Sequence, residues 1–284
     1  MSESFVGSET VSGGNGGMNW HELLNEAETL WREGRHHDAL QIVDRAALES
    51  EDSRYHAALL RGDVLLDLGD PLGALSSYES AADPMTPDPD VDAARGIALF
   101  ELARFPESDN ALRSAIRGRP DLAEAHYTLG LLYELLGNGR EIEHFRIARR
   151  LASDQFPVGP QLGREDFERC IQEAVAELPL TVQKAIESIP VLVQDLPHPE
   201  DLQESVPPVS PRCLGLFVGM SPRYESVLDG VSDHQPVILL FKRNLERACD
   251  SRDRLVEEIK LTVLHEVGHA LGLSEEQLAE RGLD

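Results

Sequence analysis

The chain has 284 residues, 41% of them hydrophobic, with a formal net charge of −25 and an isoelectric point near 4.7. That length allows two domains with real cores, and that charge excludes nucleic acid and anionic membrane as partners, because both would repel it. No apolar run reaches the ~18 residues needed to cross a bilayer, no basic region followed by an apolar core opens the sequence, and the three cysteines, Cys170, Cys213 and Cys249, are too scattered for a disulfide framework. A cytoplasmic protein is expected, with the cysteines as buried small side chains or reactive thiols.

Residues 1–17 are rich in Ser, Gly, Glu and Thr and end Ser12-Gly13-Gly14-Asn15-Gly16-Gly17. They cannot bury apolar area, so a flexible tail is expected. From 18 to 153 small residues recur with a period of about 34. Gly62, Gly96 and Gly130 form one series, with Ala27 before them. Gly34, Gly69, Ala103 and Gly137 form a second, Ala39, Ala74, Ser108 and Ile142 a third, and Ala46, Ala81 and Ala115 a fourth. Small residues at that period are what close packing of successive helix pairs requires. The stretch resembles four tetratricopeptide units, with helix pairs expected at 20–49, 54–83, 89–118 and 121–152. Ser108 and Ile142 depart from the small-residue pattern. Pro120 is expected to open the last unit's first helix, where a missing N–H costs little.

Such repeats stack into an all-α solenoid with a concave groove. The resemblance implies a peptide or protein partner there. His56, Leu59, Asp63, Asp90, Ala93, Ile97, Glu124, Tyr127 and Glu134 are expected to face it, and their apolar or acidic character argues against a clamp for a carboxylate. The groove can instead be covered by the C-terminal part of the same chain. His36 and His37 in the first turn, and His126 and His144 in the fourth repeat, are read as solvated or packed rather than metal-binding.

Residues 154–163, around Phe156-Pro157-Val158-Gly159-Pro160, read as a linker, and 164–284 as a second domain. Phe167, Ile171, Ala174, Val175 and Leu178 mark an amphipathic helix ended by Pro179. Leu180 to Glu187 is a second short helix. Strands are expected at Val191–Asp195, Cys213–Gly219 and Pro236–Arg243, the last apolar enough to be covered on both faces. They are separated by a Pro-rich loop, 197–211, and a polar loop, 220–235.

The run Leu255 to Leu264 has helical periodicity, with Asp250 or Ser251 as N-cap. It leads into His265-Glu266-Val267-Gly268-His269, an H-E-x-x-H pattern. Residues four apart on a helix differ by about 40° in direction, so His265 and His269 share a face and can meet one cation, most often zinc. Glu266 lies beside that face, where a carboxylate can serve as general base in peptide hydrolysis. Gly272 then permits a turn, and Glu275 follows in the pattern H-x-x-G-x-x-E as the expected third ligand, with Glu276 as the fallback. A short helix is expected from Ser274.

Residues 164–284 resemble the minimal zincin-like metallopeptidases. The matching pieces run in order through Ala176-Glu177-Leu178-Pro179, Val193-Gln194-Asp195-Leu196-Pro197, Leu214 to Gly219, Pro236 to Glu246 and the H-E-x-x-H helix. The resemblance implies a small α/β domain whose metal helix packs on a short mixed sheet. It implies zinc held by His265, His269 and position 275, which is typically Asp in that family and Glu here, with Glu266 as the base. No Met follows Met220, so the longer metzincins, which carry a methionine turn, are disfavoured. Tyr224 and His234 are weak candidates for an oxyanion donor. The expected function is a zinc metallopeptidase acting on a peptide or protein, with repeats that bind partner or substrate or mask the site. The rival is a non-catalytic interaction scaffold with a zinc-stabilised, degenerate zincin module.

Overall fold

The computed structural model describes residues 19–82, 85–203, 208–219, 236–274 and 277–278. The expected tail at 1–17, the whole of the loop at 220–235 with Tyr224 and His234, and both Glu275 and Glu276 lie outside these residues. The chain divides into two compact units, one ending at Asp83 and the other beginning at Pro84.

The first unit holds two helix pairs, α1 (Trp20–Arg32) with α2 (His36–Ala46) and α3 (Glu51–Asp67) with α4 (Pro71–Ala81). Their starts follow local chemistry. Asn19 and Glu22 form a reciprocal capping box on α1, Ser50 caps α3, and Asp70 caps α4 ahead of Pro71. Gly34 and Gly69 make the turns at φ +76, a left-handed conformation that glycine adopts without a Cβ penalty. Ala27, Ala39, Val43, Ala57 and Val64 form the core between the pairs. His36 is not simply solvated: its Nε2 lies 2.9 Å from Asp67 Oδ2, which also accepts the Trp31 indole N–H. These two bonds, indole first, hold the Asp67 carboxyl below its ordinary range.

The second unit begins with two further pairs, α5 (Pro89–Glu101) with α6 (Phe105–Gly118) and α7 (Ala123–Leu135) with α8 (Glu141–Leu151). The glycine period acts through close approach. A Cβ on Gly96 would stand 2.6 Å from Leu112, and one on Gly130 would stand 2.6 Å from Phe145. Ser108 keeps the tight packing by donating its hydroxyl to Gly96 O at 2.7 Å. Ile142 breaks the pattern for a different reason. Phe145 and Ala148 follow Leu112 and Ala115 by 33 residues rather than 34, and a one-residue slip rotates a helix position by about 100°. Ile142 is consequently 74% exposed. Pro120 does not open α7, which starts at Ala123 after Leu122. It sits in the preceding turn, and its carbonyl lies 3.1 Å from His126 Nε2.

The C-terminal part contains α9 (Arg164–Ala176), α10 (Leu180–Ile186), β1 (Val191–Gln194), α11 (Pro199–Gln203), β2 (Gly215–Val218), β3 (Val237–Phe241), α12 (Lys242–Ala248) and α13 (Arg252–Ala270). The sheet order is β1-β3-β2, with β1 parallel and β2 antiparallel to β3. Central β3 is buried along its length. Ile238 and Leu240 enter a core with Phe167, Cys170 and Ala174 of α9 and Leu255, Ile259, Val263 and Val267 of α13. Val237, Leu239 and Phe241 face the other side with Leu192, Leu216 and Val218.

Two helices differ from expectation. The third strand stops at Phe241, and Lys242 and Arg243 begin α12 instead of extending it. The Pro-rich loop contains the single turn α11. All three cysteines are free, with Cys170 and Cys249 buried.

Within this unit the third and fourth repeats are fastened to the C-terminal part. Glu134 of α7 accepts from both Arg243 and Arg247 of α12. Glu101 pairs with Arg212 at 2.9 Å and accepts from Ser210, and Gln203 donates to Ala103 O at 2.9 Å. Phe156 stacks on Tyr127 with ring centroids 4.4 Å apart. The segment expected as a linker is pinned as well, because Leu162 N–H donates to Glu246 Oε1 at 2.7 Å. Tyr127 and Glu134, assigned to the groove by the repeat register, thus face this chain's own C-terminal part.

Candidate metal centre

The 19-residue helix α13 carries the H-E-x-x-H motif in its last two turns. Ser251 is its N-cap, its hydroxyl accepting from Arg254 N–H at 3.3 Å. Ile259, Val263 and Val267 pin one face to the core, which turns the motif toward the β2 side of the sheet. Gly215 of β2 makes that approach possible. A Cβ there would stand 2.7 Å from Thr262 Cγ2 and 3.2 Å from Glu266 Cγ.

His265 and His269 are half-buried, and their Nε2 atoms lie 2.9 Å apart with the rings edge to face. Glu266 is buried, 6% exposed. Burial pushes the Cys213 thiol up, and the carboxylates of Glu266 and then Glu101 add to the effect.

The end of α13 is a Schellman turn. Leu273 N–H bonds Gly268 O at 3.0 Å, Gly272 N–H bonds His269 O at 2.9 Å, and Gly272 takes φ +81. This turn has a chemical consequence. It brings Leu273 O to 3.3 Å from His269 Nδ1. A proton on Nδ1 that donates to this carbonyl leaves the Nε2 lone pair bare, which is how ligating histidines are commonly oriented. Beyond the turn, Ser274 and Gln277 cap each other reciprocally, and Leu278 packs onto Gly268, where a Cβ would collide with it. Gly268 thus admits the returning chain against the motif's own backbone.

The donor set fits zinc. Two imidazole nitrogens bound at about 2.0–2.1 Å in tetrahedral geometry stand roughly 3.4 Å apart, and the observed pair needs to part by only a fraction of an ångström. Among the described residues no cluster of three ligating side chains occurs; the expected third ligand, Glu275, and its fallback, Glu276, lie outside them. Sequence reasoning missed the Leu273 carbonyl, the Gly215 contact and the Leu278–Gly268 packing. The glycine inside the motif was the one available signal for the last of these.

Residues 24–90 and 93–155 match the tetratricopeptide repeat family model, and residues 186–283 match that of the zincin-like metallopeptidases. No curated protein matches the chain. Among solved structures, a thermophilic TPR protein of Thermus thermophilus, TTC0263, is 21% identical, covering 59% of this chain and 90% of its own, at TM-score 0.43. The crystal structure of MamA is 21% identical over 45% of this chain and 74% of that one, at TM-score 0.39. YrrB, a TPR protein with an unusual peptide-binding site, is 18% identical over 58% and 84%, at TM-score 0.38. None of the helices among the described residues is long and apolar enough to cross a membrane.

Proposed function

We propose that this chain, a tetratricopeptide array joined to a zincin-like metallopeptidase domain, is a zinc-dependent peptidase with His265, His269 and Glu275 as ligands and Glu266 as general base. The working division is repeats over 18–153 and a hydrolytic module over 164–284. The observation that carries this reading is a buried Glu266 carboxylate next to two imidazoles whose Nε2 atoms converge. Burying a carboxylate costs folding energy, and a site holding metal for stability alone would have no use for it.

Zinc bound there would supply the positive charge that polarises a peptide carbonyl and acidifies water. The chain's own groups do the rest. Leu273 O would hold His269 in the tautomer whose Nε2 is unprotonated and able to bind the metal. Glu266 takes the proton of the attacking water on its carboxylate and returns it to the departing amine nitrogen. Strand β2, an edge of the described sheet and packed beside Glu266, offers backbone groups to which an extended peptide can add as a further strand.

The repeats would serve protein recognition. Because Tyr127 and Glu134 are engaged within the chain, docking falls to the first two repeats. Among the described residues, the side-chain contacts named above that link the repeats to the C-terminal part leave α13 untouched, which favours support over masking. Cleavage of a peptide library by the zinc-loaded full chain and by Glu266→Gln tests the proposal. Turnover that drops about 10²–10⁴-fold in the variant, at unchanged zinc content, is expected. Absence of cleavage by the wild type under all conditions, with zinc bound, would favour the non-catalytic scaffold.

A further inference from the structure

A cavity of about 390 Å³ opens at the seam between the fourth repeat and α12. That volume is within the range of small-molecule sites, about 300–1,000 Å³. Its charge is opposite to that of the chain. Arg149 of α8 and Lys242, Arg243 and Arg247 of α12 line it, against only two carboxylates, Glu134 and Glu246. Both carboxylates are already committed. Glu134 serves Arg243 and Arg247 together, and Glu246 accepts from Lys242 at 2.8 Å and from Leu162 N–H. The lining therefore carries two more basic than acidic side chains inside a chain of net charge −25, with Asp195, which is not on the lining, 3.8 Å from Arg243.

The excess is concentrated around one ring. The guanidinium carbons of Arg247 and Arg149 stand 5.3 and 5.8 Å from the centroid of Phe145. Glu134 already neutralises Arg247, which leaves Arg149 as the charge at this ring that has no ion-pair partner among the described residues. Arg149 supplies the second observation. Its Nε is buried and has no hydrogen-bond partner among the described residues, although an N–H shut away from water without an acceptor costs about 1–3 kcal/mol. Two guanidiniums, one of them carrying a buried N–H without an acceptor, meet at a cavity of metabolite size.

We infer that this cavity binds a small organic dianion, a dicarboxylate or a phosphate monoester, with Arg149 and Arg247 as its principal donors. Guanidinium groups suit both, because their planar fork matches carboxylate and phosphate oxygens in two parallel bonds. Tyr127 and Glu134, two of the residues expected to face the repeat groove, also line this cavity, so it sits at the fourth-repeat end of that groove, where basic side chains replace the apolar or acidic lining expected elsewhere. The dianion would bridge α8 to α12 and so tie the fourth repeat to the element leading into α13. This inference is independent of the peptidase proposal.

The test is calorimetric titration of the full chain, in low-chloride buffer, with inorganic phosphate and separately with succinate. One saturable site per chain for at least one of them is expected. Binding by phosphate alone assigns the phosphate-ester class, and binding by succinate alone assigns the dicarboxylates. Arg149→Gln should weaken binding about tenfold or more, while its unliganded melting temperature stays level or rises, since the buried Nε has no acceptor to lose. Ile142→Glu, at a 74% exposed position on the lining, adds a negative charge without touching the core and should weaken binding likewise. Arg164→Gln, on the outer face of α9, should bind as the wild type does. If neither anion binds saturably, or if Arg149→Gln and Ile142→Glu bind like the parent, the inference is overturned.

Discussion

Glu134 shows how much one side chain can organise. It is 8% exposed and meets two arginines of α12, themselves 45% and 25% exposed. Removing it leaves two guanidiniums of one helix side by side at the seam without their shared carboxylate, Arg243 keeping only Asp195 at 3.8 Å. Because both reach water, the loss is smaller than for a fully buried pair, and Glu134→Ala should cost about 1–3 kcal/mol in chemical denaturation. Glu134→Gln, which keeps one acceptor, should cost less. Nothing local in the sequence announces this contact. Glu134 and Arg247 are 113 residues apart, and a carboxylate on a helix face looks the same whether it meets solvent or a distant arginine. The H-E-x-x-H histidines were legible because their chemistry is local: a four-residue spacing on one helix places both rings together wherever that helix packs. The carbonyl that orients His269 was not, since a backbone oxygen carries no identity in sequence.

At the scale of elements, the fourth helix pair is distinct. His126 and His144 bring their Nδ1 atoms to 3.0 Å, and His126 Nε2 lies within bonding distance of Pro120 O. With Nε2–H donating to that carbonyl, His126 Nδ1 accepts from His144, and the pair has no room for a second positive charge. Burial is the first cause that lowers both histidines below their ordinary value of 6.5. Arg150 adds to this for His126, and His126 itself for His144, while Glu143 opposes it in both. A lowered folded value means that the unfolded chain takes up more protons as pH falls, so the stability from this pair is complete above about pH 6.5 and is lost as pH drops through the folded values. Melting temperature against pH should therefore fall more steeply below 6.5 in wild type than in His144→Gln; equal slopes would count against it. The repeat period was readable because close helix approach demands glycine or alanine at fixed places. The one-residue slip that exposes Ile142 was not, because α8 keeps its own hydrophobic spacing and only its phase against α7 changes. Helix α12 escaped notice because seven residues with one apolar core side chain, Leu245, make no periodic signal, and they directly follow an apolar strand.

At the scale of the whole molecule, the chain divides at Asp83 and Pro84 rather than between the repeats and the zincin-like part. The second unit contains both the third and fourth repeats and the C-terminal sheet with α13. A chain beginning at Pro84 should therefore retain the zinc content, melting behaviour and peptide turnover of the full protein. One beginning near Phe156 loses the partners of Arg212, Arg243 and Arg247, and should melt lower and turn over more slowly. A higher rate in the shorter chain would instead mean that the repeats mask the site.

Metal held by the paired imidazoles at the end of α13 is the premise of the proposed peptide hydrolysis. The most direct measurement is zinc per chain, by elemental analysis after dialysis, for the wild type, Glu266→Gln and His269→Ala. One zinc in the first two and a large loss in the third is the expected result. Full occupancy in His269→Ala, or none in the wild type after zinc loading, would contradict it.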